Sequence, residues 1–96
     1  MEIIKIDEQE IVNAVCVYMA NKNGISPESV YVELLFDDDE GYSAELEVNN
    51  RKEIISEAKL VEALRNWMDL EYNMDPFSVG VQFDLHEGEG IVAYIS

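Results

Sequence analysis

The chain has one cysteine, Cys16, among its 96 residues, so it can close no internal disulfide. A lone thiol also leaves no pair for a zinc or dithiol motif. Cations are scarce: 6 Lys and Arg stand against 21 Asp and Glu, a formal net charge of −15. A nucleic-acid binder needs cations to displace phosphate counterions, and an anionic membrane surface repels the same charge. Both are excluded as expected partners. No apolar run approaches the roughly 18 residues of a membrane span. Met1–Lys5 lacks the basic stretch and long apolar run of a secretory leader. The expectation is a soluble cytoplasmic protein. The acidity reads either as a means of solubility or as the footprint of a basic protein partner or of divalent cations.

Motifs of chemistry are also missing. There is no phosphate-binding glycine loop and no Ser/His/Asp arrangement. The single histidine, His86, sits beside a turn and lacks obvious convergent partners. Cys16 has no recognisable base. Asp37–Gly41 resembles the start of a calcium loop, but the spaced acids, the fixed glycine and the closing glutamate are absent as a set. The expectation is a protein with no enzymatic activity and no cofactor.

Hydrophobic residues make up 48% of the chain, enough for one core. Asp7 reads as a helix N-cap with Glu10 three residues on. Ile11, Val15, Tyr18 and Met19 follow at helical spacing, and Gly24 closes the run. Val30–Phe36 alternates with period two, Asp37–Gly41 turns, and Tyr42–Val48 alternates again. Asn49–Lys52 reads as a polar link. Ser56 then caps a second helix lined by Leu60, Leu64, Trp67 and Met68. Asp75–Pro76 ends that helical run. Strands are expected at Phe77–Leu85 and Ile91–Ile95, joined by a turn at Glu87–Gly90.

The second half repeats the first. With Asp7 laid on Ser56, a shift of 49, Ala14 falls on Ala63, Met19 on Met68, Pro27 on Pro76, Val32 on Val81 and Gly41 on Gly90. Cap, core stripe, turn proline, strand face and hairpin glycine stay in one register. The chain therefore reads as a tandem αββ duplication, with pseudo-repeats 6–48 and 55–96 inside a single domain, 1–96. The expected fold is α+β: two hairpins paired into one four-stranded antiparallel sheet, with both helices on one face. With the four expected strands numbered in chain order, 2-1-3-4 and 1-2-4-3 both fit a pseudo-twofold, and the first is favoured because charged Tyr42–Val48 suits an edge. The uncharged Ile91–Ile95 then becomes the other edge.

The sheet face turned away from the helices should carry Glu33, Glu45, Glu47 and Asp84, the candidate cation ligands. It should also carry Tyr31, Leu35, Val92 and Tyr94, the candidate interface residues. Pairing Phe36 with Tyr42 sets Glu33 opposite Glu45, a like-charge contact that costs stability.

The segments EQEIVNAVC (Glu8–Cys16), VELLFDDDEGYSAEL (Val32–Leu46) and EALRNWM (Glu62–Met68) resemble the YxcD-like family of small acidic proteins of Bacillus and relatives. The resemblance implies a cytoplasmic, single-domain bacterial protein. The family is uncharacterised, so it carries over no site residue and no activity. The favoured function is a non-catalytic interaction module, a homodimer joined through the open sheet face or the edge strand Ile91–Ile95. Two alternatives stand beside it. One is a divalent-cation-responsive protein using the acidic face or the hairpin loop. The other is an acidic inhibitor of a nucleic-acid-binding protein.

Overall fold

A computed structural model describes residues 3–96. Met1 and Glu2, the first two residues of the segment read for a leader, lie outside the described residues. The elements run β1 (Ile4–Ile6), α1 (Glu8–Asn23), a single 3-10 turn (Pro27–Ser29), β2 (Val30–Asp37), β3 (Gly41–Val48), β4 (Arg51–Ser56), α2 (Glu57–Tyr72), β5 (Val81–His86) and β6 (Gly90–Ile95).

Helix α1 begins where Asp7 Oδ1 accepts the Glu10 N–H at 2.9 Å, satisfying one free donor of the first turn. It ends at Gly24, which takes the left-handed conformation at φ 65°. Ile11, Val15 and Met19, four residues apart, form its buried stripe. Helix α2 repeats the stripe with Leu60, Leu64 and Met68 and closes on Asn73, also left-handed at φ 55°.

The α+β class holds, but the single four-stranded sheet does not. The strands form two separate antiparallel sheets of three, ordered β1-β6-β5 and β2-β3-β4. The reason lies in two strands absent from the sequence reading. Asn49 and Asn50 are not the start of a polar link. Both have positive φ, 52° and 64°, as a two-residue hairpin turn with the twist of its flanking strands requires. That turn sends Arg51–Ser56 back along β3, and Ile4–Ile6 lies along β6 in the same way. These two strands fill the outer sides of β3 and β6, while β2 and β5, the strands expected to pair with each other, stay at the edges of separate sheets. Consequently Tyr42–Val48 and Ile91–Ile95 are central strands of their sheets, not edges. The strand expected at Phe77–Leu85 begins only at Val81, after a turn held by Asp75. Its carboxylate accepts from the Phe77 N–H and the Ser78 hydroxyl, both at 3.0 Å.

The two sheets share their pairing at an offset of 49. Lys5↔Tyr94 corresponds to Ile54↔Glu45, and Ile6↔Ala93 to Ile55↔Ala44. In each case the first strand of one half completes the sheet of the other half. The helix starts cross over as well. Glu8 Oε2 accepts the Ile91 N–H at 2.9 Å, and Glu57 Oε1 accepts the Tyr42 N–H at 3.2 Å. Helices and inner sheet faces close one core around Ile6, Ile11, Val15, Leu46, Leu60, Leu64, Met68 and Ile95. The Tyr42 ring, 4.9 Å from Phe36 and 5.4 Å from Phe83, spans the two sheets.

Candidate functional site

Side chains alternate across a strand, so each sheet turns one row to the core and one outward. On β2-β3-β4 the outward rows are Tyr31↔Glu47↔Lys52 and Glu33↔Glu45↔Ile54. Glu33 therefore faces Glu45 directly. These rows wall a shallow depression of about 370 Å³ lined by Tyr31, Glu33, Glu45, Glu47 and Lys52, with Val32 and Leu46 at its floor. Lys52 Nζ approaches Glu45 Oε1 at 3.7 Å, one ammonium against three carboxylates. Tyr31 is 69% exposed and Ile54 63%, so two large apolar surfaces flank the acids. Ile54 is missing from the sequence reading because β4 is missing from it.

The other sheet carries a second depression, of about 270 Å³, lined by Ile3, Gly80, Val81, Gln82, Tyr94 and Ser96. Each of these six is the residue 49 positions from one that lines the first depression. The place in the fold is the same, and the acids are gone: Gln82, Tyr94 and Ser96 stand where Glu33, Glu45 and Glu47 stand.

Of the four candidate interface residues, Tyr31 and Leu35 lie on one sheet and Val92 and Tyr94 on the other, so they form no single patch. Val92 is fully buried and offers no surface. Tyr94 reaches along its strand past Val92 to His86, its hydroxyl 3.0 Å from Nε2. His86 Nε2 also lies 3.3 Å from Asp84 Oδ2, and Nδ1 lies 3.7 Å from Glu89 Oε2. Glu89 Oε1 in turn meets Lys5 Nζ at 2.6 Å. The Lys5 hydrogen bond holds the Glu89 carboxyl below the usual range, and Glu89 raises the Lys5 ammonium in return. His86 thus stands in a chain of polar groups. Asp84, Glu89 and Tyr94 share the hairpin of His86, but the convergence of their side chains is a tertiary feature that sequence spacing does not show, and Lys5 joins the chain through β1.

Asp84, grouped with Glu33, Glu45 and Glu47 as a cation ligand, sits on the opposite sheet from them. Among the described residues, no group of three or more His, Cys, Asp or Glu side chains is placed to hold a metal ion. In the Asp37–Gly41 loop, Asp37 Oδ1 accepts the backbone N–H of Asp39 at 2.7 Å and of Glu40 at 3.3 Å, so this carboxylate builds the turn. The half-buried Cys16 thiol donates to the Val30 carbonyl at 3.5 Å, and burial pushes its pKa up. A thiol held in its protonated form is a poor nucleophile.

Among the described residues, no helix is long and apolar enough to cross a membrane. No solved structure matches the chain. A curated relative, uncharacterised protein YxcD of Bacillus subtilis (strain 168), is 30% identical over 95 residues, covering 95% of this chain and 92% of the relative. Residues 1–88 match the family described as protein of unknown function, DUF2653. With the match running through both helices and five of the six strands, the chain belongs to the DUF2653 family, a YxcD-like family.

Proposed function

We propose that the chain is a non-catalytic, cytoplasmic protein-interaction module built from two tandem copies of one strand–helix–hairpin unit. Its binding face is the open face of β2-β3-β4, and its partner is a basic protein segment. The shared register at an offset of 49 supports the tandem copies. What supports the binding face is the pair of depressions. One sheet keeps the geometry with Gln82, Tyr94 and Ser96, while the other sets Glu33 against Glu45 with Glu47 alongside.

Opposed like charges cost a few tenths of a kcal/mol, up to ~1. A cationic partner removes that cost on binding. Tyr31 and Ile54 at the flanks supply the aromatic and aliphatic anchors that interfaces favour. A second copy of the chain is a poor occupant of this face, because it would bring the same acids onto themselves. A protein that ordinarily grips nucleic acid carries the basic surface required, so an acidic inhibitor of such a protein falls within this reading.

The test is a titration of the isotopically labelled full chain with a short arginine-rich peptide, followed by amide chemical shifts. Perturbations centred on Tyr31, Glu33, Glu45, Glu47 and Ile54, weakening with salt, are expected. Equal perturbations at Asp37–Glu40 and Glu87–Glu89 would show attraction to bulk charge and remove the assignment.

A further inference from the structure

We propose that two copies of this chain exchange halves, with Asn49–Asn50 as the hinge. The halves hold each other through strands, caps and helices. Strand β1 closes the sheet of the second half, and β4 closes the sheet of the first. Glu8 and Glu57 each cap the hairpin of the opposite half. The helices join the halves too: Trp67 Nε1 and the Tyr72 hydroxyl donate to Glu10 Oε2 at 2.9 and 2.6 Å. The Tyr18 hydroxyl donates to Glu62 Oε2 at 2.7 Å.

A single backbone connection joins these interlocked halves. It is a two-residue turn in which neither residue is glycine and both have positive φ. Asparagine tolerates that conformation better than most residues, yet extended backbone suits it better still. When the turn opens, β3 and β4 run on as one strand from Gly41 to Ser56. Two such strands pair antiparallel, and every contact between halves reforms between copies. Short strained hinges favour this kind of exchange. The exchanged dimer is closed and twofold, so it does not grow into a filament.

Exchange also makes the acidic depression composite. Tyr31, Glu33, Glu45 and Glu47 come from one copy, while the partner's Lys52 and the partner's Ile54 complete the wall.

Three chains test this by light scattering behind a sizing column. Asn50→Pro fixes φ near −65° and biases Asn49 towards extended backbone, so the turn cannot close. It should run at twice the 11.0 kDa chain mass. Asn50→Gly accepts the positive φ and should run at 11.0 kDa at every concentration. Wild type refolded at high concentration should contain the dimer. Lys5→Cys with Tyr94→Cys, a directly opposed pair, then reports the connectivity in a Cys16→Ala background. Exchange gives a disulfide between chains. A folded Asn50→Pro monomer, or a dimer whose disulfide closes within each chain, overturns the proposal. Should Asn50→Pro not fold, the cross-linked wild-type background decides alone: an absence of interchain disulfide after concentrated refolding overturns it.

Discussion

Where one sheet has Glu33, Glu45 and Glu47, the other has Gln82, Tyr94 and Ser96, in the same register around the same depression. The inner faces differ far less. Leu46 and Ile95 occupy equivalent sites and are both buried, as are Ala44 and Ala93. Core positions are held by close packing, which tolerates little change in volume. Outward positions carry no such constraint, and there the two halves differ. The comparison therefore separates what the fold requires from what the acidic face adds.

The largest expected effect tests whether the inner faces are as equivalent as they look. Leu46→Ala and Ile95→Ala should each cost about 3 kcal/mol in urea unfolding, the range for a large buried aliphatic cut to alanine. A cost confined to one sheet would break the equivalence. Next come the hairpin glycines. Gly90 has φ 77°, and an added Cβ there overlaps the Glu8 carboxylate, so Gly90→Ala should cost about 2 kcal/mol. Gly41 has φ 80°, but its added Cβ meets Glu57 Oε1 at 3.0 Å, so Gly41→Ala should cost about 1 kcal/mol. The reverse order of midpoints would place the tighter cross-cap in the wrong half.

The helices carry a smaller asymmetry. Tyr72 donates to Glu10, and that hydrogen bond, with burial, pushes its phenol from 10.0 up to about 12. The folded state thus holds this proton more tightly than the unfolded state does. The stability it contributes is full below pH 10 and is lost as pH rises towards 12. Tyr72→Phe should lower the unfolding midpoint modestly at neutral pH, the hydrogen bond being partly exposed, and flatten its fall over that window. An unchanged alkaline slope would contradict the linkage.

Much of this was legible in the chain itself. Asp7, Gly24 and the apolar stripes mark both helices, and Phe36 with Tyr42 sets the register that opposes Glu33 to Glu45. The architecture was not legible, because two signals are weak. Ile4–Lys5–Ile6 alternates over only three residues. Asn49–Asn50 reads as an ordinary polar link unless its capacity for paired positive φ is recognised as hairpin chemistry. Missing those strands led to one sheet of four in place of two of three, and it misplaced Ile91–Ile95 at an edge. It also hid Lys5 from Glu89, and Lys52 and Ile54 from the acidic depression, since all three arrive on the unseen strands. Val92 was misjudged for a different reason: alternation places it outward, but the side chain of Tyr94 runs past it to His86.

The central claim is that Glu33, Glu45 and Glu47 serve binding and not folding. The most direct test is the urea midpoint of the triple variant Glu33→Gln, Glu45→Gln, Glu47→Gln against wild type at low ionic strength. Loss of the exposed Lys52–Glu45 contact costs little, and relief of the opposed pair restores at least as much. A midpoint equal to or above that of wild type is expected. A clearly lower midpoint would mean that the acids hold the sheet together, and would contradict the central claim.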